Sequence, residues 1–216
     1  MTVAQTSQRA RKPEEISQRR ETLLAAAAEL FDEQGPSGAG LNAIATRAGF
    51  TKSNVYRYFE SREQVLLELF RDEFVGLVDA LEKQIETRQS GDVAGLAETI
   101  TAAFLARPRC CALIAILANT LEQNVSEDTI AVTKTHMRAL TGRIIVALAA
   151  RLPNATPQDC GWAIAMIGSL LAGMWPGAHP PPAAQAVLAR PGFEPLRMDL
   201  PRDLQRSAQA LLQSIA

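Results

Sequence analysis

The chain is poor in the residues on which small secreted folds and most catalytic sites depend. It has three cysteines in 216 residues, Cys110, Cys111 and Cys160. They give no disulfide framework and no Cys-x-x-Cys metal spacing, so a reducing, cytoplasmic setting is the natural reading. Its two histidines, His136 and His179, lie far apart and lack partner spacing. They read as surface or pocket residues, and no metal site is expected. There is no Gly-rich phosphate loop and no nucleophile motif, which argues against an enzyme and against a bound cofactor. No alternating strand pattern of useful length is present, and no internal repeat. The first charges arrive before any apolar run, so a secretory signal is not expected. Net charge is −1, so the global balance favours no partner. Aromatics make up 5% of the chain, yet both tyrosines fall in one stretch, Ala48 to Phe59, "AGFTKSNVYRYF".

What is present is aliphatic. Hydrophobic residues reach 47%, with Ala, Leu and Ile dominant, which favours helix over strand. The expected fold class is all-α, in one or two domains. Charge is unevenly spread. Residues 1–62 hold nine basic and seven acidic side chains, and residues 63–216 hold thirteen and sixteen. A weakly basic front end suits an anionic partner.

Residues 1–12 carry Arg9, Arg11 and Lys12 and read as a disordered basic arm. Pro13-Glu14-Glu15 opens a first helix, with Ile16, Leu23, Leu24, Ala27, Leu30 and Phe31 at helical spacing and Gly35-Pro36 as its stop. A short second helix fits Leu41 to Ala48, and a third fits residues 52–58 with Thr51 as N-cap. Ser61 to Gln64 reads as a capping box for a long fourth helix ending near Arg88. Further helices are expected over 92–106, 109–123, from Ser126 towards Leu152, and from Thr156-Pro157 to Pro176. A proline-rich loop over 176–201 holds a short helix near 183–189. Pro201 opens the last helix, with Leu204, Ala208, Leu211, Leu212 and Ile215.

Three short helices with a tight turn at Gly49 suggest a helix-turn-helix, the left-handed glycine permitting a steep crossing. Val55 and Phe59 then share the inner face. Lys52, Ser53, Tyr56 and Arg57 point away from it, towards base edges or phosphates. Arg62 stands ready for a further phosphate. The run "IATRAGFTKSNVYRYFESREQVL", with Ile44-Ala45, Ala48-Gly49, Thr51, Tyr56-x-Tyr58-Phe59, Arg62 and Val65-Leu66, resembles the DNA-binding segment of TetR-type transcriptional repressors. The upstream "LAAAAELFDEQG" is similar to that family's first helix. One departure stands out. The family's usual pair of hydroxyl residues before the second helix is replaced by Ala39-Gly40.

The resemblance implies a DNA-binding domain over 13–62, with Thr51, Lys52, Ser53, Asn54, Tyr56, Arg57, Tyr58 and Arg62 as DNA contacts. It implies an effector-binding and dimerisation domain over 63–216. It further implies a homodimer reading a pseudo-palindromic operator on double-stranded DNA, released by a small-molecule effector. The fourth helix joins the two domains, so its tilt would set the spacing of the recognition helices.

Cys160 to Ala178 contains no charged residue. That is close to the ~20 residues that span a bilayer. Four glycines, a proline and the lack of flanking basic clusters favour a buried or interface helix and no membrane span. With the last helix it suits a dimer bundle near 157–175 and 202–215. The effector pocket is expected among the helices from about 92 to 175, lined by Phe104, Met137, Trp162 and Met166, and suited to an apolar or aromatic molecule. An alternative reading makes Cys110 and Cys111 a thiol-based redox or metal/metalloid sensor. Against it, free cysteine is a common small core residue.

Overall fold

A computed structural model describes residues 13–216, so the expected basic arm lies outside the described residues. Every regular element among them is helical. The chain divides into two compact units, one ending at Val65 and one running from Leu66 to Ala216. The division falls three residues beyond the boundary expected at 62/63.

The first unit is built from α1 (Pro13–Gln34), α2 (Leu41–Arg47), α3 (Lys52–Val55) and the first turn of α4 (Arg62–Ile85). Leu23, Ala27, Leu30 and Phe31 recur at helical spacing on α1 and are all buried, together with Ile44, Ala45, Val55 and Phe59. Ile16 was expected in that stripe, but it is 44% exposed, because the first turns of α1 run past the core. Gly35 ends α1 at φ +70°, where its amide donates to Phe31 O at 2.8 Å. Ala39 is fully buried and Gly40 caps α2 without a side-chain bond. The departure from the family pattern thus trades a polar cap for core packing and a bare N-cap, which costs only a few tenths of a kcal/mol relative to Ser or Asn. Ser61 Oγ accepts from the Gln64 amide at 3.1 Å, and Gln64 Oε1 accepts from the Glu60 amide at 2.6 Å. The expected capping box is therefore present in altered form, its return bond reaching one residue further back.

In the second unit, α5 (Val93–Leu105) is capped by Asp92, whose carboxylate accepts from the Gly95 amide at 2.9 Å. Pro108 starts α6 (Pro108–Ile116) at 87° to α5. The single helix expected over 109–123 instead widens into a π-helical turn at Leu117–Leu121, with the Glu122 amide reaching back to Leu117 O. The widened turn keeps Leu113, Leu117 and Leu121 all buried. Next come α7 (Glu127–Ala149), capped by Ser126, and α8 (Pro157–Ala178), opened by a capping box of Thr156 and Asp159. Bonds from Thr156 hold the Asp159 carboxyl below its ordinary range. Pro176 does not end α8 as expected but sits inside it. So near the C-terminus, its missing N–H forfeits only one bond of the ladder.

A short α9 (Pro182–Leu188) buries nothing, and α10 (Leu200–Gln213) closes the chain. The hub is α8, which packs on α6, α7 and α10, while α5 packs on α10 and α6. It buries Cys160, Ala163, Ile167 and Leu171. Against them α10 sets Leu200, Leu204, Ala208 and Leu212. Each fully buried leucine contributes about 1.5–3 kcal/mol. Among the described residues α8 is the one helix long and apolar enough to cross a membrane, but one whole face of it is spent on these neighbours.

Candidate nucleic-acid interface and ligand cavity

The outward segment of the first unit is residues 51–59. Gly49, at φ +73°, turns the chain between α2 and α3, and the Phe50 amide donates to Ala45 O at 2.8 Å. Phe50 is only half-buried, so it edges the small core expected to enclose it. Regular α-helix covers Lys52–Val55, shorter than the 52–58 expected. The chain nevertheless stays wound, because Arg57 donates to Asn54 O and Tyr58 to Val55 O in three-residue steps before Phe59 closes on Val55 O at 3.0 Å. Thr51 holds the N-cap position, but its hydroxyl bonds to Ser53 Oγ at 3.1 Å and caps no amide.

Burial sorts the segment by angle. Val55 and Phe59 are 0% and 1% exposed, whereas Tyr56 is 52% exposed. Thr51, Lys52, Ser53 and Arg57 are exposed, and Asn54 and Tyr58 are half-buried. One turn apart, Lys52 and Tyr56 meet, with the ammonium 5.8 Å from the ring centroid. This cation–π contact is worth about 0.5–1 kcal/mol at an exposed site. It leaves both polar tips on the outer side. Arg62 stands apart from this cluster, half-buried and paired with Glu63 at 2.9 Å.

Two arginines that sequence reasoning passed over hold the segment in place. Arg20 of α1 donates to Tyr58 O at 3.0 Å and lies 4.6 Å from the Phe59 ring centroid. Arg47, at the end of α2, pairs with Glu33 at 2.7 Å and Glu29 at 3.0 Å, both on α1. The Arg47 hydrogen bond lowers the Glu33 carboxyl below its usual range. No local spacing signals these contacts, since they join residues 14 to 38 positions apart.

The second unit holds a half-open cavity of about 350 Å³. From α4 come Phe70, Phe74, Leu77 and Leu81, and from α5 Phe104. The α6 end and its π-helical turn supply Ile114, Leu117 and Ala118, and α7 supplies Met137, Thr141 and Ile144. The α8 wall is Ile164, Ala165, Gly168, Ser169 and Ala172. Phe70 and Phe74 stack with centroids 5.4 Å apart. No lining residue carries a charge, and the polar side chains are two hydroxyls. Ser169 Oγ already donates to Ala165 O at 2.9 Å. An uncharged wall of this kind accepts a neutral apolar molecule and penalises an ion.

Phe104 and Met137 stand in this wall. Trp162 and Met166 do not, which corrects their expected place. They are 47% and 37% exposed, on the flank of α8 turned away from Ala163 and Ile167. Their apolar character, legible in the sequence, did not tell which side of α8 they occupy. Outside the wall, α4 is tied to its neighbours by Arg109–Glu73 at 2.7 Å and by Arg143, which reaches Asp79 at 2.8 Å and also Glu82. Gly76 leaves room for the Arg107 guanidinium, since a Cβ there would lie 2.7 Å from Nη1.

Cys110 and Cys111 are fully buried. Desolvation pushes the Cys110 thiol well above its ordinary range and the Cys111 thiol up to about 12. Cys111 Sγ donates to Phe104 O at 3.1 Å. Neither thiol is accessible, and burial disfavours the thiolate, which argues against redox or metalloid sensing by the pair. Among the described residues no three His, Cys, Asp or Glu side chains cluster as a metal site.

The described chain thus joins a helix-turn-helix, its polar residues outward, to a helical unit around an apolar cavity. Two family models match the chain. "Bacterial regulatory proteins, tetR family" covers residues 23–69, and "Tetracyclin repressor-like, C-terminal domain" covers 71–215. The chain belongs to the TetR family of transcriptional regulators. Over 70 residues it is 34% identical to the transcriptional activator FasR of Mycolicibacterium smegmatis, a match spanning 32% of each chain. A putative transcriptional regulator from Rhodococcus sp. RHA1 shares the fold at TM-score 0.63 and 19% identity, over 90% of this chain and 94% of that one. SmeT, the repressor of the Stenotrophomonas maltophilia multidrug efflux pump SmeDEF, is similar in its triclosan complex. There the TM-score is 0.55 and the identity 22%, over 91% of both chains.

Proposed function

We propose that this protein is a homodimeric repressor that binds a pseudo-palindromic operator and leaves it when a small, neutral, apolar or aromatic molecule enters the larger unit. The observation that carries the DNA reading is the angular sorting of residues 51–59. Packing takes Val55 and Phe59, and Lys52, Ser53, Tyr56 and Arg57 remain outward. Lys52 donates to a base edge, and Tyr56 and Arg57 hold phosphates beside the groove. Thr51, Asn54 and Tyr58 flank these contacts, and Arg62 joins only by giving up Glu63.

The dimer forms through α8, with α10 at its flank. The apolar stripe of α10 is used within its own chain, so α10 offers Arg202, Gln205, Arg206 and Gln213 as a polar rim. A rim of that kind around an apolar centre is the ordinary anatomy of an interface. The apolar cavity, and the example of SmeT with triclosan, support the effector class. A cytoplasmic location follows from the proposed role and the free thiols.

An electrophoretic shift assay on the gene's own upstream region tests the reading. Lys52→Ala should relax sequence discrimination, and Tyr56→Ala should weaken binding to all sequences. Each costs about 1–3 kcal/mol, roughly five- to 150-fold. Affinity should fall steeply with salt. Full affinity in the Lys52/Tyr56 double alanine variant would sink the assignment.

A further inference from the structure

The cavity wall of the second unit is divided by polarity. Its α4 side is apolar throughout, with Phe70, Phe74, Leu77 and Leu81. Its two hydroxyls, Thr141 and Ser169, stand on α7 and α8. They differ in what they have left to give. Ser169 is exposed, and its proton is spent on Ala165 O at 2.9 Å. Thr141 is half-buried. A threonine inside a helix can satisfy its hydroxyl on the carbonyl four residues back. Thr22, Thr46, Thr99 and Thr133 all do so, at 2.8 to 3.0 Å. Thr133 lies two turns before Thr141 on the same helix. Thr141 makes no such bond, and it has no other hydrogen-bond partner among the described residues. Shape does not call for a hydroxyl there, since valine has the same outline. A hydroxyl held among apolar groups without a partner is costly.

We infer that Thr141 is the specificity-determining residue of this cavity, and that the molecule it selects is a neutral apolar body carrying one hydroxyl group. The inference rests on the effector reading above and narrows it. A hydroxyl side chain offers one proton and two lone pairs. Thr141 keeps all of these free, so an incoming hydroxyl can either donate to it or accept from it. A bare hydrocarbon leaves Thr141 unpaired once the cavity is filled, and that loss counts against binding. A carboxylate meets one free proton and no cation in the wall, too little to replace its hydration. The division of the wall also orients the guest. Its oxygen turns to α7, and its apolar body lies against the Phe70–Phe74 stack of α4. Ser169 discriminates little, because at an exposed position water replaces any bond it makes.

The probe is N-phenyl-1-naphthylamine, a neutral fluorescent arene. It is displaced by three competitors on one skeleton: 4-cyclohexylphenol, cyclohexylbenzene and 4-cyclohexylbenzoate. Each inhibition constant is corrected for the variant's own affinity for the dye. Wild type should bind the phenol at least as tightly as the hydrocarbon, although water holds the phenol more strongly. The carboxylate should not compete where the phenol does. Thr141→Val keeps the volume and removes the hydroxyl. It should shift the phenol-to-hydrocarbon ratio about tenfold towards the hydrocarbon, as for one lost hydrogen bond. Thr141→Ser should keep the wild-type ratio, and Ser169→Ala should stay within about twofold of it. The ratio reads the hydroxyl alone, because a general loosening of the wall moves both compounds together. An unchanged ratio in Thr141→Val, or a shift produced by Ser169→Ala instead, overturns the assignment and leaves the cavity reading standing. A carboxylate that competes as well as the phenol overturns the neutral class. If Thr141→Val fails to fold, wild type alone decides, since a hydrocarbon preferred about tenfold or more over the phenol means that no wall group meets the hydroxyl. A wild type that takes up no dye overturns the cavity reading and the inference with it.

Discussion

The two units solve opposite problems with the same helical material. The first closes its core completely around Val55 and Phe59 and turns Lys52, Tyr56 and Arg57 to the outside. The second leaves about 350 Å³ open between α4, α5, α7 and α8 and exposes Trp162, Met166 and Leu170. A DNA reader needs rigid polar tips at fixed angles, and a dense core supplies that rigidity. A ligand site needs missing volume, and the lining forgoes contacts that a filled core would make. The difference teaches where to look for function in each part. On the proposed reading, function in the first unit sits in side chains, and in the second it sits in the space between them.

The largest test of this contrast is Phe59→Ala. Removing a fully buried aromatic costs about 3–5 kcal/mol, enough to unfold a small three-helix unit. It also removes the ring on which Arg20 rests. Amide hydrogen exchange should accelerate across residues 41–59 while residues 93–213 stay protected. If both stretches lose protection together, the two units are not independent in stability and the contrast breaks. The counterpart in the second unit is Gly168→Leu. The added side chain enters open space and relieves a mid-helix glycine worth up to about 1 kcal/mol. Thermal stability should hold or rise, and affinity for N-phenyl-1-naphthylamine should fall about tenfold. A clear loss of stability would mean that this wall is packed, not hollow.

These tests also mark what the sequence made legible. The outward face of residues 51–59 followed from helical angle alone, because Val55 and Phe59 four residues apart fix which side is inner. The helix order followed from caps that depend on near neighbours, such as Ser126 and Thr156. The features missed depend on distant partners. Arg47 finds Glu33 and Glu29 only once α1 and α2 cross, and Arg20 finds Tyr58 O only once α1 meets the chain beyond α3. The π-helical turn at Leu117–Leu121 has no composition that separates it from a plain apolar helix. The cavity is the clearest case. Phe104 and Met137 were expected in its wall and lie there, while Trp162 and Met166 lie on the outer flank of α8. An uncharged helix gives no polar mark of which apolar face turns inward.

The smallest effect sharpens the contrast through pH. Glu33 in the first unit is held below its ordinary value by Arg47. Its contribution is present above pH 4.5 and is lost as pH falls through the lowered pKa. Because Glu33 is exposed, that loss is slight. Cys110 and Cys111 in the second unit are held high by burial. The folded unit then binds more protons than the unfolded chain above pH 9, where free thiols ionise. Their contribution is complete below pH 9 and is lost as pH rises towards about 12. The slope is at most about 1.4 kcal/mol per pH unit for each thiol. Alkali should therefore loosen residues 93–213 through the two thiols, whereas acid draws on lowered carboxyls in both units, Glu33 in the first and Asp159 and Asp203 in the second. Melting measured between pH 8 and 11 should show wild type losing stability faster than the Cys110→Ala/Cys111→Ala double variant, whose baseline is lower at pH 8 because of the vacated volume. Parallel slopes in the two proteins would place the alkaline sensitivity elsewhere in the second unit.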